Sequence, residues 1–188
     1  MNGFVQDYKT RLFSALDTIP LDKVEQAIAW LAEARDEGRR IFTCGNGGSA
    51  ASASHIVCDL VKGASYQRGK RFRMMALTDS LPTLTAYSND VGYDVVFVEP
   101  LKNFAERGDI LIAVSGSGNS PNVLKAVEWA NENGLKTIGL TGRDGGKLGA
   151  MAQLEIRVAE PHMGRIEDGH MIILHMIGYY FMEQGGGC

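Results

Sequence analysis

From residue 40 onward the chain alternates short apolar runs of β type with stretches of helical periodicity, and no other feature limits its fold as tightly. The runs at 40–44, 72–77, 109–114, 136–140 and 154–158 are short and largely apolar, as expected of strands buried on both faces. Helical patterns near 50–62, 81–88, 122–133 and 147–152 separate them, and a longer one covers about 166–182. Such alternation predicts an α/β fold, a doubly wound, five-stranded and mostly parallel sheet in a three-layer sandwich. Ligands of such sheets bind beyond the carboxyl ends of the strands, which directs attention to the segments after Cys44, Leu77, Val114 and Leu140.

Two helices precede the first strand. The pattern at 21–36 places Val24, Ala27, Ile28, Leu31 and Ala32 on one face and stops at Gly38; the pattern at 4–16 aligns Phe4, Tyr8, Leu12 and Leu16. These helices must cover the sheet or pack against another subunit. No internal repeat or low-complexity linker divides the chain, so residues 1–184 read as a single domain and the glycines of 185–188 as a flexible tail. At 188 residues such a domain buries roughly 70% of its unfolded surface and holds a core without metal or disulfide staples. Any metal is then functional rather than structural.

Nineteen Lys and Arg against 22 Asp and Glu leave a net charge of −3, and the clusters Arg39-Arg40 and 70–73 are too short to track a phosphate backbone. No nucleic-acid partner is expected. Cys44, Cys58 and Cys188 form no C-x-x-C pair, which fits reduced thiols in a cytoplasmic protein, with Cys44 and Cys58 as small core residues. The start lacks a basic and apolar leader, and the most apolar stretch, 171–182, is too short to span a bilayer, so no membrane association is expected.

The first strand runs into Gly45-Asn46-Gly47-Gly48-Ser49-Ala50 and then a helix. Glycines let the backbone approach an anion, and the helix N-terminus offers free N–H groups and partial positive charge. The string also satisfies the relaxed dinucleotide pattern, although no acidic residue falls where a ribose would need one; Asp79 is the nearest candidate. The third strand ends in Ser115-Gly116-Ser117-Gly118-Asn119-Ser120, then Pro121. Ser120 before proline suits a helix cap, but capping needs one hydroxyl and this loop has three. Hydroxyls and backbone N–H groups without a lysine suit a phosphate monoester that is held and released. Thr141-Gly142-Arg143-Asp144-Gly145-Gly146-Lys147-Leu148 imitates a nucleotide loop, but Leu148 stands where Ser or Thr is required; it reads as a turn whose Asp144 can serve a hydroxylated ligand.

His55 and Asp59 share a helix face by i, i+4 spacing; Glu167, His170 and His175 lie on the last helix. Imidazoles and carboxylates meeting from two helices suit a divalent metal, zinc above all, or an acid/base set without one. Solvated helix faces with one core histidine would account for the same residues.

Taken together, these loops, Asn89-Asp90-x-Gly92-Tyr93 and Arg165-Ile166-Glu167 with His170 and His175 resemble the sugar isomerase (SIS) domain. Among SIS proteins the chain is most similar to the phosphoheptose isomerases, which interconvert sedoheptulose 7-phosphate and D-glycero-D-manno-heptose 7-phosphate. The resemblance covers nearly the whole chain. It implies that Ser49, Ser115, Ser117 and Ser120 hold the sugar phosphate, that Gly47, Gly48, Gly116 and Asn119 complete their loops, and that Asn46, Asp90 and Asp144 lie near the substrate. It further implies one zinc ion held by His55, Asp59, Glu167 and His175, and a homotetramer in which the terminal helices, those of 1–37 included, pack together.

Two positions depart from the family pattern: Asp59 replaces Glu, shortening the side chain by about 1.5 Å, and Glu167 replaces Gln, adding a negative charge. Aldose–ketose interconversion moves a proton between adjacent carbons through an enediolate, and Asp59 and His175 are the expected acid/base pair, with Glu167 also near the substrate. The alternatives are a sister isomerase with another sugar phosphate, a phosphosugar sensor, and a non-catalytic regulator that binds a replication initiator. A dinucleotide dehydrogenase ranks below these because it leaves the serine-rich loop without a role.

Overall fold

The computed structural model describes residues 3–184; the expected tail at 185–188 lies outside the described residues. Its centre is a wholly parallel sheet of five strands in the order β2-β1-β3-β4-β5. These are β1 (Arg40–Gly45), β2 (Arg73–Ala76), β3 (Ile110–Ser115), β4 (Lys136–Gly142) and β5 (Leu154–Val158). Successive side chains of a strand face opposite layers. Accordingly Ile41, Ile110, Ile112, Val114, Ile138 and Leu140 join one core, while Phe42, Cys44, Leu111 and Ala113 join the other.

The first core is closed by α1 (Phe4–Leu16), α2 (Leu21–Asp36), α3 (Gly48–Cys58) and α8 (Met163–Glu183). The second is closed by α5 (Val98–Phe104), α6 (Pro121–Glu132) and α7 (Gly146–Met151), with α4 (Leu81–Asp90) lying at its margin. The two roles open to the leading helices divide between them. Val24, Ala27, Leu31 and Ala34 of α2 are buried on the sheet, whereas α1 buries only Ala15, packs on α8 and leaves Phe4, Val5 and Phe13 exposed.

The structure corrects three local expectations. The helix expected at 50–62 is α3 followed by a π-helical turn at Asp59–Gly63, where the Ala64 N–H donates to the Asp59 carbonyl at 2.8 Å, one residue beyond the α spacing. Between α4 and β3, where no element was expected, a 3-10 turn at Tyr93–Val95 and α5 supply Val96, Phe97, Val98 and Leu101 to the second core. Their apolar run is short and carries Pro100 in the first helical turn, so its periodicity is invisible. Cys44 is fully buried, which pushes its thiol up to about 12, but Cys58 is exposed, because it falls on the α3 face opposite Ile56 and Leu60. No described helix is long and apolar enough to cross a membrane.

Strand order reverses between β1 and β3, and doubly wound sheets open a crevice at such a switch point. The glycine loop after β1 and the serine loop after β3 therefore face each other across it.

Candidate active site

A cavity of about 270 Å³ occupies this crevice, walled by Asn46, Gly47, Gly48, Ser49, Val114, Ser115, Gly116, Ser117, Ser120, Met163 and Glu167. Three of the serines cluster: Ser115 Oγ lies 3.2 Å from Ser120 Oγ and 3.5 Å from Ser117 Oγ. Ser120 occupies the N-cap position of α6 with an extended backbone, yet its side chain makes no capping hydrogen bond. Its hydroxyl turns to Ser115 instead and is not spent on the helix cap. Ser49 is buried in the first turn of α3, on the opposite wall.

The two loops are tied together. Asn46 and Asn122 exchange amide hydrogen bonds of 2.9 Å in both directions, and the Tyr93 hydroxyl donates to Asn46 Oδ1 at 2.8 Å. Asn122 and Tyr93 carried no assigned role in the sequence. Asparagine is common near helix starts, and only the fold shows that this one, 2% exposed, reaches 76 residues back. Asn119 lies beside the cavity with its amide committed to structure: its Nδ2 donates to the Ser117 carbonyl and its Oδ1 accepts the Lys147 N–H.

Asp90 and Asp144 do not line this cavity in the single chain. Asp90 ends α4 in a separate hollow of about 430 Å³ with Pro82, Thr83, Ala86, Tyr87 and Val91. Asp144 lies on the far side of the serine loop, in a cavity of about 580 Å³ shared with Ser117, Asn119, Arg143 and Glu160, and it accepts the Gly146 N–H within its own turn.

A second centre forms further along α3. His55 Nε2 lies 3.0 Å from His175 Nε2 of α8 and 3.3 Å from Asp59 Oδ2, and one ligand atom from each residue lies within 4.8 Å of the others. Asp59 Oδ2 is buried without a hydrogen-bond partner. Ligands at about 2.1 Å from a tetrahedral zinc lie roughly 3.4 Å apart. The donor types, the spacing and the orphaned carboxylate oxygen therefore fit a divalent metal. Arg68, just past the π-helical turn, donates to the carbonyls of Phe181 and Met182, tying this segment to the end of α8.

Glu167 lies outside the three-residue group. It stands about 12 Å from His175 along the helix axis, and its carboxylate rests against Gly48 in the serine cavity. His170 turns the other way: it is fully buried, its Nε2–H donates to the Thr141 carbonyl at 2.8 Å, and desolvation lowers its pKa to about 4. It is a core histidine.

Comparison with known proteins places this arrangement. The SIS domain family matches residues 5–142. The phosphoheptose isomerase of Aliarcobacter butzleri strain RM4018 is 41% identical over 157 residues, 83% of this chain and 82% of that protein. The chain belongs to the phosphoheptose isomerases of the SIS family. A probable phosphoheptose isomerase of Thermoplasma volcanium is 39% identical over 173 residues, 92% of this chain and 88% of its own length. The structure of phosphoheptose isomerase GmhA from Neisseria gonorrhoeae superposes with a TM-score of 0.88 at 32% identity, covering 95% of this chain and 97% of that one. The parallel sheet and its flanking helices are thus the SIS fold.

Proposed function

We propose that this protein interconverts sedoheptulose 7-phosphate and D-glycero-D-manno-heptose 7-phosphate with the help of a zinc ion. Its family membership supports the isomerase class. The observation that carries the substrate is that one helix joins two unlike centres. Ser49, at the start of α3, lines the serine cavity, and His55 and Asp59 follow along the same helix, about 9 Å and 15 Å of axial rise away. A phosphate seated among Ser49, Ser115, Ser117 and Ser120 lets a seven-carbon chain, with bonds of about 1.5 Å, extend its carbonyl end to the histidines. Asn46, held by Asn122 and Tyr93, borders the path.

His55, Asp59 and His175 are the residues that would hold zinc. When bound, it polarises the carbonyl and stabilises negative charge on the adjacent oxygens. Asp59 and His175 carry the protons, one from carbon to carbon and the other between the two oxygens. The buried and otherwise unpaired Asp59 oxygen supports a role for that carboxylate beyond packing.

The same reading makes the protein a cytoplasmic homotetramer. Exposed Phe4, Val5 and Phe13 on α1, Met176, Tyr179 and Tyr180 on α8, and an α4 without a single buried residue are faces that further copies would cover. Covering them would also bring Asp90, at the end of α4, against a neighbouring chain.

The test is turnover of sedoheptulose 7-phosphate by chelator-stripped protein, with and without added zinc. Turnover restored by zinc is expected. Metal-independent turnover would remove the metal and leave the acid/base pair. Saturable sugar-phosphate binding without product under either condition would favour a sister isomerase or a sensor.

A further inference from the structure

Asn46 borders the serine cavity, yet its carboxamide is almost wholly spent inside the protein. A carboxamide oxygen accepts two hydrogen bonds and its nitrogen donates two. Asn46 Oδ1 accepts from Asn122 Nδ2 at 2.9 Å and from the Tyr93 hydroxyl at 2.8 Å, so both of its lone pairs are taken. Asn46 Nδ2 donates once, to Asn122 Oδ1 at 2.9 Å, and among the described residues its second hydrogen meets no side-chain or backbone acceptor.

The backbone dictates the direction of this pairing. Asn122 Oδ1 also accepts the Val123 N–H at 3.0 Å, and an Asn122 turned over would set its own NH2 against that N–H. With Asn122 fixed and 2% exposed, turning Asn46 over would bring donor against donor and acceptor against acceptor across the pair. Tyr93 fills the remaining lone pair from the 3-10 turn at Tyr93–Val95, which the Asp94–Lys125 ion pair ties to α6, the helix that carries Asn122.

We infer that Asn122 and Tyr93 are positioning residues of the isomerase: acting through Asn46, they hold its carboxamide so that a bound sugar phosphate meets an N–H and never an acceptor oxygen. This rests on the serine cavity being the sugar-phosphate site, as proposed above. The partner selected is an oxygen of the ligand with a lone pair to offer. Because the amide is ordered before the ligand arrives, little entropy is lost in aiming it.

Calorimetric binding of sedoheptulose 7-phosphate to the full chain, with KM, kcat and melting temperature measured alongside, tests this. Tyr93→Phe removes only the hydroxyl from a half-exposed ring and should weaken binding about three- to tenfold. KM should rise more than kcat falls, and the melting temperature should stay near wild type. Asn122→Ala should weaken binding at least as much and also lower the melting temperature. The deciding readout is Tyr93→Phe in an Asn46→Ala background, where it should have no further effect because the amide it acts through is gone. An equal loss in both backgrounds, no loss in either, or an Asn46→Ala protein that binds like wild type would overturn the inference. Ser115→Ala combined with Ser120→Ala separates the two levels. If that pair weakens binding while Tyr93→Phe does not, only the positioning role falls. If that pair leaves binding untouched, or wild type binds no sedoheptulose 7-phosphate, the site assignment falls and the inference with it.

Discussion

His170 and His175 stand on one helix and have opposite environments, which gives each a separate prediction. His170 is fully buried, and desolvation lowers its pKa from 6.5 to about 4. Between those values the unfolded chain binds a proton that the folded chain does not, so stability is complete above pH 6.5 and falls as the pH drops toward 4. The loss should reach about 2 kcal/mol by pH 5. Urea unfolding at pH 7.5 and pH 5 measures it, and His170→Gln, which keeps an N–H donor for the Thr141 carbonyl, should flatten the difference. His175 is half-buried and meets His55 at 3.0 Å. His175→Ala should abolish turnover yet leave phosphate binding and the melting temperature near wild type; retained turnover would remove it from the chemistry.

At the scale of elements, the serine loop depends on a backbone that only glycine accepts. Gly118 has φ +64°, and a Cβ there would overlap the Gly145 carbonyl oxygen, because the β3–α6 and β4–α7 loops pack backbone to backbone. The Leu148 N–H donates to the Gly118 carbonyl across the same contact at 2.9 Å. Gly118→Ala should therefore cost about 2 kcal/mol or more, from the left-handed backbone and the overlap together. It should also weaken phosphate binding by displacing Ser117 and Asn119. Thermal melts and phosphate titration of one variant test both effects. The Thr141–Leu148 segment, read in the sequence as a strand-to-helix turn, is thus the brace of the serine loop. Of its glycines, Gly146 is required by that contact, where a Cβ would meet the Ser117 carbonyl oxygen, whereas a Cβ at Gly142 would meet Ile166 and one at Gly145 the Glu155 carboxylate.

For the whole molecule, the exposed apolar residues predict assembly. Phe4, Val5 and Phe13 lie 69%, 78% and 59% exposed on α1, too much apolar surface for a helix whose only fully buried residue is Ala15. Val5→Asp with Phe13→Asp should shift the protein from tetramer toward smaller species in sedimentation velocity, with the sheet and the His55–His175 pair retained. A wild-type monomer would remove the tetramer from the proposal. Because Asp90 stands apart from the serine cavity within one chain, the dissociated variant should also show whether α4 contributes to sugar binding from a neighbour.

The sheet, every flanking helix except α5, and the glycine and serine loops were legible in the linear chain because each depends on local chemistry. Strands buried on both faces must be apolar runs, and loops that approach an anion must be glycines and hydroxyls. Spacing alone also paired His55 with Asp59. Three-dimensional packing decided the rest. Glu167, His170 and His175 lie on one helix and look alike as polar residues, but α8 crosses three environments along its length. Rotation about its axis sends His170 into the core, while translation along it leaves Glu167 at the serine cavity and carries His175 on to His55. Burial, orientation and the reach of Asn122 to Asn46 depend on which elements the fold sets side by side, and contacts so distant in sequence leave no local pattern to read.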